Sequence, residues 1–230
     1  MFDDVAGGVN FFTAEGLRWR HVRKSLAPVF ASERSFYPAL LDCIHQWMDT
    51  SLTPLILAGK PVEISEEMLK ITIDVIGRVG FDYEWNSNNN NNGDDDEAKI
   101  VLEGLQIAYL DYFREAVPTN TFRYLAGSLY PARRRARRAV NAMKDVCRNI
   151  LRSHRERKAA SLPYDPKSII CTLDENTNYE SDEERICDMV LICAGGFVTS
   201  AWQGISKNKA GCVPNSSVVR RTKKLGTVQH

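Results

Sequence analysis

The sequence predicts a mainly α-helical protein. Apolar residues recur at helical spacing in several stretches, prolines and capping residues lie near the ends of these stretches, and there is little strand-like alternation. The clearest helix is expected over residues 131–158. Its apolar stripe consists of Ala136, Val140, Met143, Cys147, Ile150, Leu151 and His154. Helices with an apolar stripe bury it against one another, so we expect an α-rich layered packing.

Three further helices are expected before the middle of the chain. The first covers residues 17–30, and the second covers residues 38–57, where Pro54 interrupts or ends it. The third covers residues 63–81 and begins at a Ser65 cap. It is apolar on nearly every side, which predicts burial on most faces.

Shorter helical patterns follow. Aromatic and aliphatic residues make an amphipathic helix over residues 102–113, which ends near Pro118. A short helix is expected over residues 168–173. The sequence Ser-Asp-Glu-Glu at residues 181–184 is a capping-box start for a last, strongly apolar helix.

Composition divides the chain. Residues 86–97 are almost all Asn and Asp and bury no apolar surface, which predicts a mobile surface loop. After Trp202 the chain has basic residues but no acid, and its apolar residues follow no periodic pattern. We therefore expect one partial domain over residues 1–202 and an unrelated, disordered basic tail over residues 203–230.

Charge and composition exclude several classes of function. The chain has 30 basic and 29 acidic residues, and a net charge of +1 gives no overall attraction to nucleic acid. The arginines at residues 133–138 open the long amphipathic helix without interleaved aromatics, so we interpret them as a solvated face and predict no nucleic-acid partner. The acidic N-terminus does not suit a signal peptide, and the apolar stretch 186–202 is shorter than the roughly 20 residues of a membrane span.

Six cysteines are scattered without a Cys-x-x-Cys pair, and four histidines lie far apart. These patterns predict neither a zinc site nor a disulfide framework, and no protein-ligated metal. We expect reduced thiols and an intracellular protein.

Trp19 and Arg23 are the first candidate binding residues. They lie four positions apart, so a helix places an indole N–H donor beside a guanidinium fork on one face. Such a pair suits a buried carboxylate, because Arg binds carboxylates bidentately and stays charged. Taken alone, the same spacing also fits a packed Trp beside a surface Arg.

Three stretches in order resemble the cytochrome P-450 family. Residues 8–30 look like the region leading into that family's helix C, residues 72–81 look like its helix E, and residues 184–202 look like its central helix I. The resemblance implies a partial cytochrome P-450 fold running from helix C to helix I. Such a part lacks the C-terminal haem-ligand region and most of the β-sheet.

The resemblance also implies roles for particular residues. Trp19 and Arg23 match the pair that binds a haem propionate, while Gly195 and Gly196 match the small residues that let helix I widen beside the oxygen site. Thr199 matches the catalytic threonine whose hydroxyl helps to deliver protons. Val198 then stands where an acid is usual, and a second, poorer alignment would put Val198 on the threonine. A structural role for Thr199 inside a core helix stays open as well.

Two family motifs are missing. No Phe-x-x-Gly occurs, although the iron-ligating cysteine of the family follows one, and Cys212 has none of that context. The family's Glu-x-x-Arg is spelled only at residues 15–18, before Trp19 instead of after helix I. The family implies a haem cofactor, a reductase partner and a small apolar substrate, with one oxygen atom of O2 inserted into that substrate. We expect this chain to be truncated and inactive alone.

The alternative from another class is a non-catalytic helical interaction protein or a pseudoenzyme fragment. Localisation stays open between a freely intracellular protein and one attached to the endoplasmic reticulum or another membrane by an anchor lost before Met1.

Overall fold

The computed structural model describes five stretches of the chain, with backbone alone for residues 33–35, 65–66, 95–96, 131–133 and 197–211. The described stretches are residues 6–31, 33–59, 61–85, 95–107 and 131–211. Within them the chain forms helices and turns and no strand, which confirms the mainly α fold.

Eight α-helices are described, numbered here in chain order. They are α1 (Gly16–Ala31), α2 (Glu33–Trp47), α3 (Thr53–Leu57), α4 (Ile64–Val75), α5 (Asp95–Leu105), α6 (Pro131–Ala159), α7 (Ile169–Glu175) and α8 (Asp182–Gly211). A π-helical turn joins α2 to α3 at Met48–Leu52, and another follows α4 at Ile76–Gly80.

The first two predicted helices are confirmed, with one refinement at Pro54. The helical path does not stop at this proline, because the π turn Met48–Leu52 carries it into α3. Pro54 lies in the first turn of α3, where a missing backbone N–H costs little. The predicted interruption is thus a π turn just before Pro54, and α3 itself ends at Leu57.

The third predicted helix is α4 with its π turn. The predicted Ser65 cap is wrong, since the N-cap residue is Glu63 and the helix already begins at Ile64. The predicted burial is confirmed, because every described side chain from Glu67 to Phe81 is buried or half-buried. A helix with apolar residues on nearly every side is typical of a core position, and α4 has one.

The long helix α6 forms one wall of the core. All seven residues of its predicted stripe are at most 8% exposed. The stripe joins one hydrophobic cluster with side chains of α1, α4, α5, α7 and α8. On the rim of α6, Arg155 donates to Asp174 of α7 and to Asp182 of α8, which fixes the three helices together.

Capping confirms the starts of the last two helices. Ser168 accepts a hydrogen bond from the Cys171 backbone N–H at 3.4 Å, and Ser181 accepts one from the Glu184 N–H at 3.4 Å. The reciprocal bond of the predicted capping box is shifted by one residue, because the Glu184 carboxylate accepts from the Glu180 N–H at 3.1 Å.

Two helix boundaries differ from the boundaries that composition predicted. The Asn/Asp stretch 86–97 lies largely outside the described residues, but its last part is already the first turn of α5. The backbone of α8 continues past Trp202 to Gly211, so the change of composition does not coincide with the end of a helix. Residues 212–230 lie outside the described part.

None of the described helices has both the length and the apolarity that a membrane-spanning segment requires.

Candidate functional site

The Trp19–Arg23 pair lies on an exposed part of α1, next to the buried face of this helix. Val22 and Leu26 on that adjacent face are buried in the core, about 60° from the pair around the helix axis. The guanidinium carbon of Arg23 lies 5.2 Å from the centre of the Trp19 ring, a cation–π contact. Trp19 is 42% exposed, and Arg23 is exposed too.

The pair therefore has the geometry predicted from its spacing, and both of its side chains are exposed. Among the described residues Arg23 has no ion pair, whereas Arg18 on the same helix does. An exposed guanidinium beside an indole can bind an anionic group such as a carboxylate.

Three hydrogen-bonded contacts fix α1 against the rest of the chain. Arg18 pairs with Glu184 of α8 at 3.0 Å. The Ser25 hydroxyl accepts from the Asn176 amide at 3.2 Å. Just before α1, the backbone N–H of Phe11 donates to the Asp188 carboxylate of α8 at 2.7 Å.

Gly195 and Gly196 have different surroundings. A Cβ built on Gly196 would lie 2.8 Å from the end of the Ile76 side chain, so Gly196 allows α8 to pack closely on the π turn after α4. A Cβ built on Gly195 would meet nothing within 4 Å. Gly195 is half-buried, so it borders open space beside the core.

Thr199 and Val198 lie on the described backbone of α8, one helical turn beyond this open space. Their side chains are not described, and the role of Thr199 stays a prediction.

Asp188 is a residue of the site that sequence reasoning missed. It is 1% exposed and accepts from the Phe11 N–H and, at 2.5 Å, from the Tyr179 hydroxyl. Burial raises its pKa to about 6, although both hydrogen bonds act in the opposite direction. The signal that was available is the single acid inside an otherwise apolar stretch of α8.

The described cysteines do not suit an iron ligand. All five are free thiols and all are buried. Burial raises the pKa of the Cys43 and Cys187 thiols and brings that of Cys171 to about 11. The hydrogen bond with Cys147, together with burial, raises the pKa of the Cys193 thiol well above its usual value. A metal-binding cysteine needs the thiolate form, which the surroundings of these four thiols disfavour. Cys212 lies outside the described residues.

No cluster of metal-ligating side chains occurs in the described ranges. The surroundings that do fit a haem are of another kind: a guanidinium–indole pair suited to a propionate, and a gap beside Gly195. The described residues thus fit the periphery of a haem, and they include no group suited to ligate its iron.

The described part is thus a helical protein with an exposed guanidinium–indole pair on α1 and two glycines of different surroundings on α8. A family model described as Cytochrome P450 matches residues 2–203, and the chain belongs to this family.

The similar proteins span much more than this chain. Cytochrome P450 6k1 of Blattella germanica is 34% identical over 86 residues, which is 36% of this chain and 16% of that protein. Cytochrome P450 6a2 of Drosophila melanogaster is 29% identical over 82 residues, covering 34% and 16% respectively.

A solved structure has the same fold. The crystal structure of cytochrome P450DA heme domain superposes with a TM-score of 0.56 at 18% identity, covering 86% of this chain and 41% of that one. This likeness supports the helical arrangement alone. The chain therefore spans about two fifths of that domain and aligns with a smaller share of the insect relatives.

Proposed function

We propose that this chain provides the propionate-binding and oxygen-side helices of a haem-dependent monooxygenase. The observation that carries the proposal is the exposed Trp19–Arg23 pair, whose guanidinium has no ion pair among the described residues. Family membership supports the same assignment.

In this proposal each residue has a limited task. The Arg23 guanidinium and the Trp19 indole N–H hold one carboxylate of the haem, and so orient its plane. Gly195 leaves room on the oxygen side of α8. When bound, the haem supplies the oxidative chemistry that inserts one oxygen atom of O2 into the substrate.

Thr199 is the proposed catalytic residue. Its hydroxyl would pass protons towards the oxygen side of the haem, and its place one turn after the glycines supports this role. Because Val198 stands where the family usually has an acid, proton delivery would depend on Thr199 and ordered water alone.

We propose further that the 230-residue chain alone forms no thiolate-ligated iron site. The missing ligand loop and the raised pKa of the buried thiols support this. A reductase, a small apolar substrate and an intracellular location, with or without membrane attachment, are proposed for the whole protein on the same family grounds.

The test is a hemin titration of the purified chain followed by Soret absorbance. Losing one charge-assisted hydrogen bond costs about 1.5–3 kcal/mol, so Arg23→Gln should weaken hemin binding by roughly tenfold or more. The control is Arg20→Gln, which removes an exposed charge from the same helix and should change the affinity less than twofold.

Equal affinities for the two variants would contradict the proposed propionate site. A second measurement adds carbon monoxide to the reduced hemin complex. We expect no Soret shift of the thiolate type, and a clear shift would show that a cysteine of this chain ligates iron.

A further inference from the structure

Two carboxylates on one face of α8 contact the chain around α1. Glu184 and Asp188 lie one helical turn apart. Glu184 pairs with Arg18 in the first turn of α1, and Asp188 accepts from the Phe11 N–H just before α1. The Trp19–Arg23 pair begins one residue after Arg18. The position of this pair relative to α8 is thus set by contacts on either side of the start of α1.

Asp188 is built into the core as a fixed acceptor. Its two carboxylate oxygens accept from different segments, one from Phe11 and one from Tyr179. Tyr179 is itself held, because the Arg185 guanidinium stacks on its ring at 5.1 Å and donates to the Leu173 and Asn176 carbonyls. Removing the Asp188 carboxylate would leave the donors of Phe11 and Tyr179 without their partner.

Glu184 is held equally firmly. One of its carboxylate oxygens pairs with Arg18 at 3.0 Å, and the other accepts from the Glu180 N–H at 3.1 Å. The side chains of Arg18 and Glu184 are 27% and 17% exposed, so water screens this pair less than a surface ion pair. A carboxylate fixed at both oxygens can fix the guanidinium that it binds.

We propose that Glu184 and Asp188 are positioning residues, which hold α1 so that Trp19 and Arg23 face the anion that they bind. This proposal rests on the proposed function for the identity of that anion, a haem propionate. The two carboxylates touch no part of the cofactor in this arrangement, and they act through Arg18 and the Phe11 backbone. They couple the helix that borders the oxygen side to the helix that holds the propionate.

The experiment compares Glu184→Gln and Asp188→Asn with Glu183→Gln. The control changes the same charge on the same helix, but Glu183 pairs with Lys144 and Arg148 of α6 instead of α1. Hydrogen exchange read by mass spectrometry reports the protection of residues 11–26. Hemin titration reports the binding of the cofactor itself.

We expect faster exchange over residues 11–26 and a three- to tenfold loss of hemin affinity in both test variants, with neither effect in the control. If Asp188→Asn does not fold, Tyr179→Phe removes one of its donors and keeps the carboxylate. A double variant gives the decisive comparison: Arg23→Gln with Glu184→Gln should bind hemin no more weakly than Arg23→Gln alone. If the losses of hemin affinity in the two single variants instead multiply in the double variant, Glu184 has a general structural role that does not act through Arg23, and the proposal is overturned.

Charge reversal provides a rescue. Arg18→Glu and Glu184→Arg should each loosen α1, and the two together should restore at least half of the lost protection. Failure to restore any protection would contradict a direct role of this pair.

The two proposals can fail separately. If Arg23→Gln leaves hemin affinity unchanged, the proposed function is wrong at this site, and the positioning role of Glu184 and Asp188 is then tested by the hydrogen-exchange data alone. Unchanged protection of residues 11–26 in Asp188→Asn and Glu184→Gln would overturn the positioning role itself.

Discussion

The two ends of the apolar stretch of α8 are built in opposite ways. Near its start, Asp188 is 1% exposed and has both oxygens occupied by hydrogen bonds from other segments. Two turns later, Gly195 has no side chain and a Cβ there would meet nothing within 4 Å. One end is closed by specific polar contacts, and the other leaves space beside the core. The difference separates the part of α8 that fixes the fold from the part that can border a ligand.

The largest expected effect comes from opening the closed end. Asp188→Ala leaves the Phe11 N–H and the Tyr179 hydroxyl buried without their acceptor, at about 1–3 kcal/mol for each donor. We expect the free energy of unfolding to fall by about 4 kcal/mol in urea denaturation at pH 4, where ionisation of this carboxyl costs little. A loss below about 1 kcal/mol would mean that water replaces the carboxylate, and that this end is not closed.

The same carboxylate predicts a pH dependence. The folded-state pKa of Asp188 is raised from 3.8 to about 6, so the folded chain binds this proton more tightly than the unfolded chain does. Its ionisation therefore costs stability, which is lost as the pH rises from about 4 through 6, by up to about 3 kcal/mol. Denaturation midpoints at pH 4 and pH 7 should show this loss in the wild type relative to Asp188→Asn. A constant difference between the two proteins at all pH values would contradict the raised pKa.

The two glycines test the other end directly. Gly196→Ala places a Cβ against Ile76, and we expect a loss of about 1–2 kcal/mol, lessened if the flexible end of Ile76 moves. Gly195→Ala meets no neighbour and replaces a poor helix former, which should stabilise the chain by about 0.5–1 kcal/mol. Thermal unfolding of the matched pair measures both effects. The same sign for both would show that the space beside Gly195 is not open.

The smallest effect is expected far from both ends. Lys158 pairs with Glu175 at 2.8 Å on the surface, with side chains 35% and 58% exposed. Such pairs contribute about 0–1 kcal/mol, so Lys158→Ala should change the free energy of unfolding by less than about 0.5 kcal/mol. Added salt should erase even this difference, and a larger, salt-independent change would contradict a screened surface pair.

Much of the fold was predictable because its signals are local. The stripe of α6, the short helix near residues 168–173 and the Ser181 cap depend on residues within a few positions of one another, and the structure confirms them. The π turns were not predictable in this way. The position of the α4 cap was also missed, since Ser65 is a good capping residue and the chain nevertheless begins this helix from Glu63.

In the candidate site, too, local arrangements were predictable from the sequence and long-range contacts were not. The placement of Trp19 beside Arg23 follows from helical spacing and was predicted. The roles of this pair and of the α8 glycines stay predictions. The contact of Asp188 with Phe11 joins residues 177 positions apart, and no local pattern specifies such a pair. Sequence could mark Asp188 only as an acid in an apolar helix, and its partners required the tertiary structure. Whether Gly195 or Gly196 borders open space also depended on where Ile76 lies.

The central claim is that the Trp19–Arg23 pair holds a carboxylate of a haem, and esterified hemin tests it most directly. Hemin dimethyl ester has the same ring and iron but no propionate charge, so hydrophobic adsorption should not separate it strongly from hemin. We predict that the wild-type chain binds hemin roughly tenfold more tightly than the ester, and that Arg23→Gln loses this preference while Arg20→Gln keeps it. Equal binding of hemin and its ester by the wild-type chain would contradict the claim.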